Sequence, residues 1–222
     1  MSLWFDAVLA FLALTNLMFL ATSRLGACIR AVAVQGTLVG LLPLLAPEHS
    51  LSPRVLGVAL GTILLKGAVF PWLLRRVLHH AQMRREVEPL VSYPASTLIG
   101  LLTLGLALWV NTGLPLPMPL SSPLVVPVAL STILVGLFVI VSRVKAISQV
   151  LGYLILENGI YAFGTALLLE QSIVVELGVL LDIFAAVFVM GIAIFHINRE
   201  FDHIDTGALD ALADWTGPGA AR

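Results

Sequence analysis

Charged side chains are scarce in this sequence: Asp, Glu, Lys and Arg together make up 11% of its 222 residues, against roughly 25% in a soluble domain. So few charges cannot cover a globule of this length in water, which excludes a soluble enzyme. Cysteine is scarcer still. Cys28 stands alone, so the chain makes no internal disulfide and cannot by itself hold an iron-sulfur cluster or a thiolate zinc site. A surplus of either charge is missing too. The formal net charge of -1 leaves no global basic field to recruit nucleic acid, and there is no long acidic run of the solvating kind. What the chain has in quantity is apolar side chains, 59% of the total. Its principal solvent is therefore lipid.

Apolar stretches of membrane-crossing length predict seven helices, at about 3–23, 27–46, 54–76, 91–111, 124–142, 150–169 and 173–197. The first reads as a retained helix and not a cleavable signal. Asp6 stands where a basic leader would be, the apolar run is too long, and no small-x-small site follows. Pro47 and Pro53 bound the second connection, while Gly113, Pro115, Pro117 and Pro119 punctuate the fourth. The expected fold is an all-α membrane bundle. It comprises an N-terminal four-helix segment over 1–122, a three-helix segment over 123–200 and a short tail over 201–222.

The cations orient it. Arg24, Arg30, Arg75, Arg76, Arg84, Arg85, Arg143, Lys145 and Arg199 fall in or beside the odd connections and the C-terminal end, against Arg54 on the opposite side. The positive-inside rule then puts the C-terminus in the cytoplasm and the N-terminus outside, as an odd number of spans requires. Trp4, Trp72 and Trp109 lie near span ends and read as interfacial belt residues.

Functional information concentrates where a span carries a group that hydrocarbon penalises. Lys66, Glu157 and Asp182 do so, each at a cost of at least ~2.5 kcal/mol at a helix centre. From the rise per residue, Lys66 and Glu157 share a level, roughly 12 to 14 Å inside the arginine-rich boundary. If the last two spans form a hairpin turning near Gln171, Asp182 lies within ~4 to 5 Å of the height of Glu157. Acids and a base desolvated together suit proton handling, since burial penalises the charged form of each. The alternative for Lys66 is a static ion pair that holds the bundle together. Asn158 and Gly159 directly follow Glu157 and supply an amide and room. Glu176 and His196 are lesser candidates for the same path, His196 reading more readily as a cationic anchor at a helix end. His79 and His80 belong to the basic third connection and are too poorly aligned for a metal site. Pro71, one turn beyond Lys66, predicts a kink that frees the Gly67 carbonyl. No metal or cofactor is expected on this chain.

The run Gly152-Tyr153-Leu154-Ile155-Leu156-Glu157-Asn158-Gly159 resembles the carboxylate-bearing helix of the K component of respiratory complex I and of its small counterpart in the multisubunit cation/proton antiporters. Over the whole chain the pattern is more similar to component E of the hydrogenase-4 type membrane complexes, which sets a K-like segment after extra N-terminal helices. Lys66, Ser142-Arg143, Val175-Glu176-Leu177-Gly178 and Asp182 with the apolar residues after it share in that resemblance. It implies membership of a group 4 nickel-iron hydrogenase or formate hydrogenlyase-like complex, with Glu157 in the role of the buried glutamate of the K component. The second carboxylate of that component lies at a longer spacing, near which this chain has a valine, so Asp182 takes that role only by position.

The function this implies is that of a non-redox membrane-arm protein forming part of a lateral proton or sodium path. Its partners would be antiporter-like and quinone-subunit-like membrane proteins and a cytoplasmic hydrogenase arm, and its location the inner membrane. The chain would belong to an oxidoreductase complex without having a redox site of its own. Other readings are a cation/proton antiporter component, a structural scaffold, and a seven-helix photoreceptor. The last span contains no lysine, which leaves a retinal Schiff base without its usual anchor.

Overall fold

A computed structural model describes residues 3–46, 52–80, 90–114, 122–166 and the single position 191. The described residues are helical and contain no strand. Helix α1 spans Leu3–Ala21, α2 Leu25–Leu45, α3 Pro53–Thr62, α4 Phe70–His80, α5 Tyr93–Gly113, α6 Val125–Ser142 and α7 Ala146–Ala166, with a π-helical segment, Ile63–Val69, joining α3 to α4. Among the described residues five helices are long and apolar enough to cross a membrane: α1, α2, the rod Val55–His79, α5 and α6. The expected span at 173–197, with Glu176, Asp182 and His196, lies outside the described residues apart from Gly191.

Each helix keeps its polar groups internal, as hydrocarbon demands. The hydroxyls of Thr15, Thr37, Thr97, Thr103, Ser131, Thr132 and Thr165 donate to carbonyls three or four residues earlier in their own helices. Ser52 accepts from the Val55 amide at 3.3 Å, and Pro53 occupies the first turn where its missing N–H is harmless. Helix α4 runs through His79 and His80, so both sit on its last turn and not in a connecting loop. No Gly or Pro follows Pro71 to stop the helix earlier.

The helices alternate in direction. One end of the bundle gathers the end of α1, the starts of α2, α5 and α7 and the end of α6, as the shared lining of Thr22, Leu25, Tyr93, Arg143 and Ser148 attests. Arg24, Arg75, Arg76, Arg143 and Lys145 belong to this arginine-rich end, while Arg54 lies in the first turn of α3 at the other. Trp4, Trp72 and Trp109 are exposed, as are Leu98, Leu101, Leu102 and Leu106 along α5. That apolar exterior is what a lipid-facing wall requires.

Inside, the core is divided. One apolar cluster, towards the arginine-rich end, joins Phe19, Ile29, Val32, Phe70, Val135, Leu151 and Ile155. The other joins Phe5, Leu9, Leu12, Val39, Leu42, Val125, Ala129 and Ala162. Between them lies a layer of buried polar side chains that includes Asn16, Gln35, Lys66, Thr132, Glu157 and Asn158.

Candidate functional site

The polar layer is built at two close helix contacts. On α2, Gly36 and Gly40 form a small-xxx-small face that lets the π segment approach. A Cβ on Gly36 would lie 2.5 Å from Lys66 Cβ and 2.8 Å from its backbone carbon, and one on Gly40 would lie 2.6 Å from Ile63 Cγ1. Between α6 and α7 the same device recurs. A Cβ on Gly136 would meet Leu156 Cα at 2.6 Å, and one on Gly159 would meet the Ile133 nitrogen at 2.7 Å. Close contacts on both sides of Glu157 therefore fix the height of α7 against α6.

Lys66 sits in the middle of the π segment, whose wider turn carries the Phe70 N–H to the carbonyl of Leu65, five residues back. Pro71 follows directly. It lacks an N–H and its ring crowds the carbonyl four residues earlier, that of Gly67; the widened turn is where that disturbance is absorbed. The proline alone predicts a kink. What the structure contains is a change of helix type on the side of Pro71 that holds Lys66.

The two charges that residue counting sets at one level do meet. Lys66 Nζ donates to Glu157 Oε1 at 2.7 Å, with the lysine 4% and the glutamate 1% exposed. Tyr161, one turn beyond Glu157 on the same face of α7, presents its ring 5.6 Å from the ammonium, within cation–π reach. Asn158 is equally buried, and its Oδ1 has no hydrogen-bond partner among the described residues.

A second polar group, which sequence reasoning missed, continues the layer. Gln35 Nε2 donates to Asn16 Oδ1 at 2.6 Å, Asn16 Nδ2 donates to Thr132 Oγ1 at 2.8 Å, and Thr132 donates to the Val128 carbonyl at 2.7 Å. All three side chains are buried. Gln35 precedes the glycine that closes on Lys66, and Thr132 precedes the isoleucine that closes on Gly159, so this polar chain lies in the same layer as the ion pair. Gln35 Oε1 has no partner among the described residues. Neutral amides carry less weight than charges in a hydropathy reading, but Asn16 and Gln35 in apolar spans were the available signal.

Neither a family model nor a solved structure matches the chain. Over 210 residues it is 34% identical to the uncharacterized protein Rv0085 of Mycobacterium tuberculosis, a match that covers 91% of this chain and 93% of that protein. The chain belongs to the family of that protein. It also shows a more distant, partial similarity to a hydrogenase-4 component. It is 33% identical over 100 residues to hydrogenase-4 component E of Escherichia coli, across 44% of this chain and 46% of that protein, and equally to hydrogenase-4 component E of Shigella flexneri.

Proposed function

We propose that the chain is a non-redox membrane-arm subunit of a hydrogenase-4-like energy-converting complex, in which Lys66 and Glu157 form part of a proton or sodium path. The buried ion pair carries this reading. Ionisable groups cost ~2.5–3.5 kcal/mol each at mid-membrane, and replacing a buried pair by apolar residues is often neutral or stabilising. A pure scaffold would gain little from keeping one. A pair joined at 2.7 Å within a layer of neutral amides is instead poised to respond to an arriving charge: neutralising the carboxylate releases the ammonium, and the amides beside it offer the next donors and acceptors.

The distant similarity to hydrogenase-4 component E supports the parent complex. In this reading the bundle has seven spans, Asp182 neighbours Glu157, and Asn158, Glu176 and His196 extend the path. The arginine-rich end faces the cytoplasm of the inner membrane under the positive-inside rule. Residues 1–122 then form the added N-terminal segment and 123–200 the K-like one. The partners are antiporter-like and quinone-subunit-like membrane proteins and a cytoplasmic hydrogenase arm, where the metals and redox chemistry reside.

The test is ion translocation coupled to hydrogen turnover in membranes carrying the native complex, comparing wild type with Glu157→Gln at equal assembly. Translocation falls in the variant if Glu157 relays charge. Wild-type translocation by an assembled variant refutes the path and leaves a scaffold. Copurified nickel and iron support the hydrogenase parent; an assembled complex without them supports an antiporter.

A further inference from the structure

Arg143 is buried in an unusual way. A cation at the end of a membrane helix ordinarily snorkels to water, yet this one is only 4% exposed, and no carboxylate pairs with it among the described residues. Its guanidinium lies 4.7 Å from the centre of the Tyr93 ring, and Nη2 makes one long contact, 3.5 Å, to Ser96 Oγ. Nη1 is buried with no hydrogen-bond partner among the described residues. An unmatched buried donor on a full positive charge is costly, so its surroundings bear on what it is for.

Those surroundings suit an anion. Arg143 lines a small pocket with Thr22, Ser23, Leu25, Tyr93 and Ser148. Three long helices begin there: α2 at Leu25, α5 at Tyr93 and α7 at Ala146. Helix N-termini carry partial positive charge and unsatisfied N–H groups, and neither Arg24 at the start of α2 nor Ser92 at the start of α5 caps its helix with a side chain. The pocket's free volume is about 10 Å³, room for one oxygen-sized atom.

We propose that this pocket binds one phosphate oxygen of an anionic lipid headgroup, held by the Arg143 guanidinium. The size of the pocket argues for a phosphodiester, one oxygen of which enters while the rest of the molecule stays outside. A free phosphate ion would leave most of its charge beyond reach of the donors. The location agrees, because the end of a membrane bundle is at headgroup depth.

The test uses the full chain purified in detergent, with phosphatidylglycerol as probe and phosphatidylcholine and inorganic phosphate as controls. Retained lipid is read by mass spectrometry and binding by titrated thermal stabilisation. Wild type retains phosphatidylglycerol in preference to phosphatidylcholine, and Arg143→Gln weakens that binding about tenfold, the scale of one charge-assisted hydrogen bond. If Arg143→Gln does not fold, Arg143→Lys, which keeps a point charge without the fork, is expected to fold and to bind about threefold to tenfold more weakly. Equal lipid binding by wild type and the folded variant overturns the site. Stabilisation by inorganic phosphate matching that of the lipid overturns the assignment to a headgroup.

Discussion

Removing one member of the Lys66–Glu157 pair should damage the protein more than removing both. The two side chains are 4% and 1% exposed, so water is not at hand to replace a lost partner, and the low-dielectric surroundings leave the survivor uncompensated. Breaking a buried pair in this way costs about 3–5 kcal/mol, whereas neutralising both partners with residues of similar volume costs little. Lys66→Met and Glu157→Gln are each expected to fall in that range, while the double variant lies within about 1–2 kcal/mol of wild type. The apparent interaction energy is then several kcal/mol and has the sign of mutual dependence. Reversible unfolding in mixed detergent micelles, read by helical circular dichroism for the four proteins of the cycle, measures it. Additive losses, with the double variant as weak as the sum of the singles, would refute the buried pair. The same double variant also separates architecture from function: stable and assembled, it should still fail to translocate ions.

The glycine contacts make a sharper steric prediction. Gly136→Val puts side-chain atoms against the backbone of Leu156, so α6 and α7 must part; loss of about 1–3 kcal/mol of stability and a matching loss of complex assembly on native gels are expected, and wild-type stability would show that the helices are farther apart. Asn16→Leu removes the partner of both Gln35 and Thr132, and a loss of about 1–2 kcal/mol by the same unfolding assay is expected, with no loss meaning that the amides do not meet. In a Cys28→Ala background, Ser52→Cys should react with an impermeant maleimide added outside intact cells and His79→Cys only after permeabilisation; the reverse pattern would invert the orientation.

Much of the fold was legible because hydrocarbon imposes a coarse rule, a run of apolar residues per crossing, and α1, α2, α5 and α6 begin and end close to the expected limits. The ends that differed did so for local reasons. Helix α7 starts at Ala146, earlier than hydropathy suggests, because polar residues such as Ser148 and Gln149 are helical yet carry no apolar signal. The common level of Lys66 and Glu157 followed from counting residues, but the face each presents did not. That depends on the π segment and on Gly36, Gly136 and Gly159, whose significance lies in what stands opposite them. The Gln35–Asn16–Thr132 chain was hidden for the same reason: each residue alone is an ordinary polar residue in a long helix, and only the packing of α1, α2 and α6 joins them.

The sandwich of one polar layer between two apolar clusters has an electrical consequence. A membrane protein whose polar groups were stacked from one membrane face to the other would short-circuit any gradient the membrane holds. Here Phe19, Ile29, Leu151 and their neighbours insulate one side of the layer, and Leu9, Leu42, Val125 and theirs the other. Among the described residues the charged layer is thus sheathed above and below, so the proposed path would have to run parallel to the membrane and open at the flanks of the bundle.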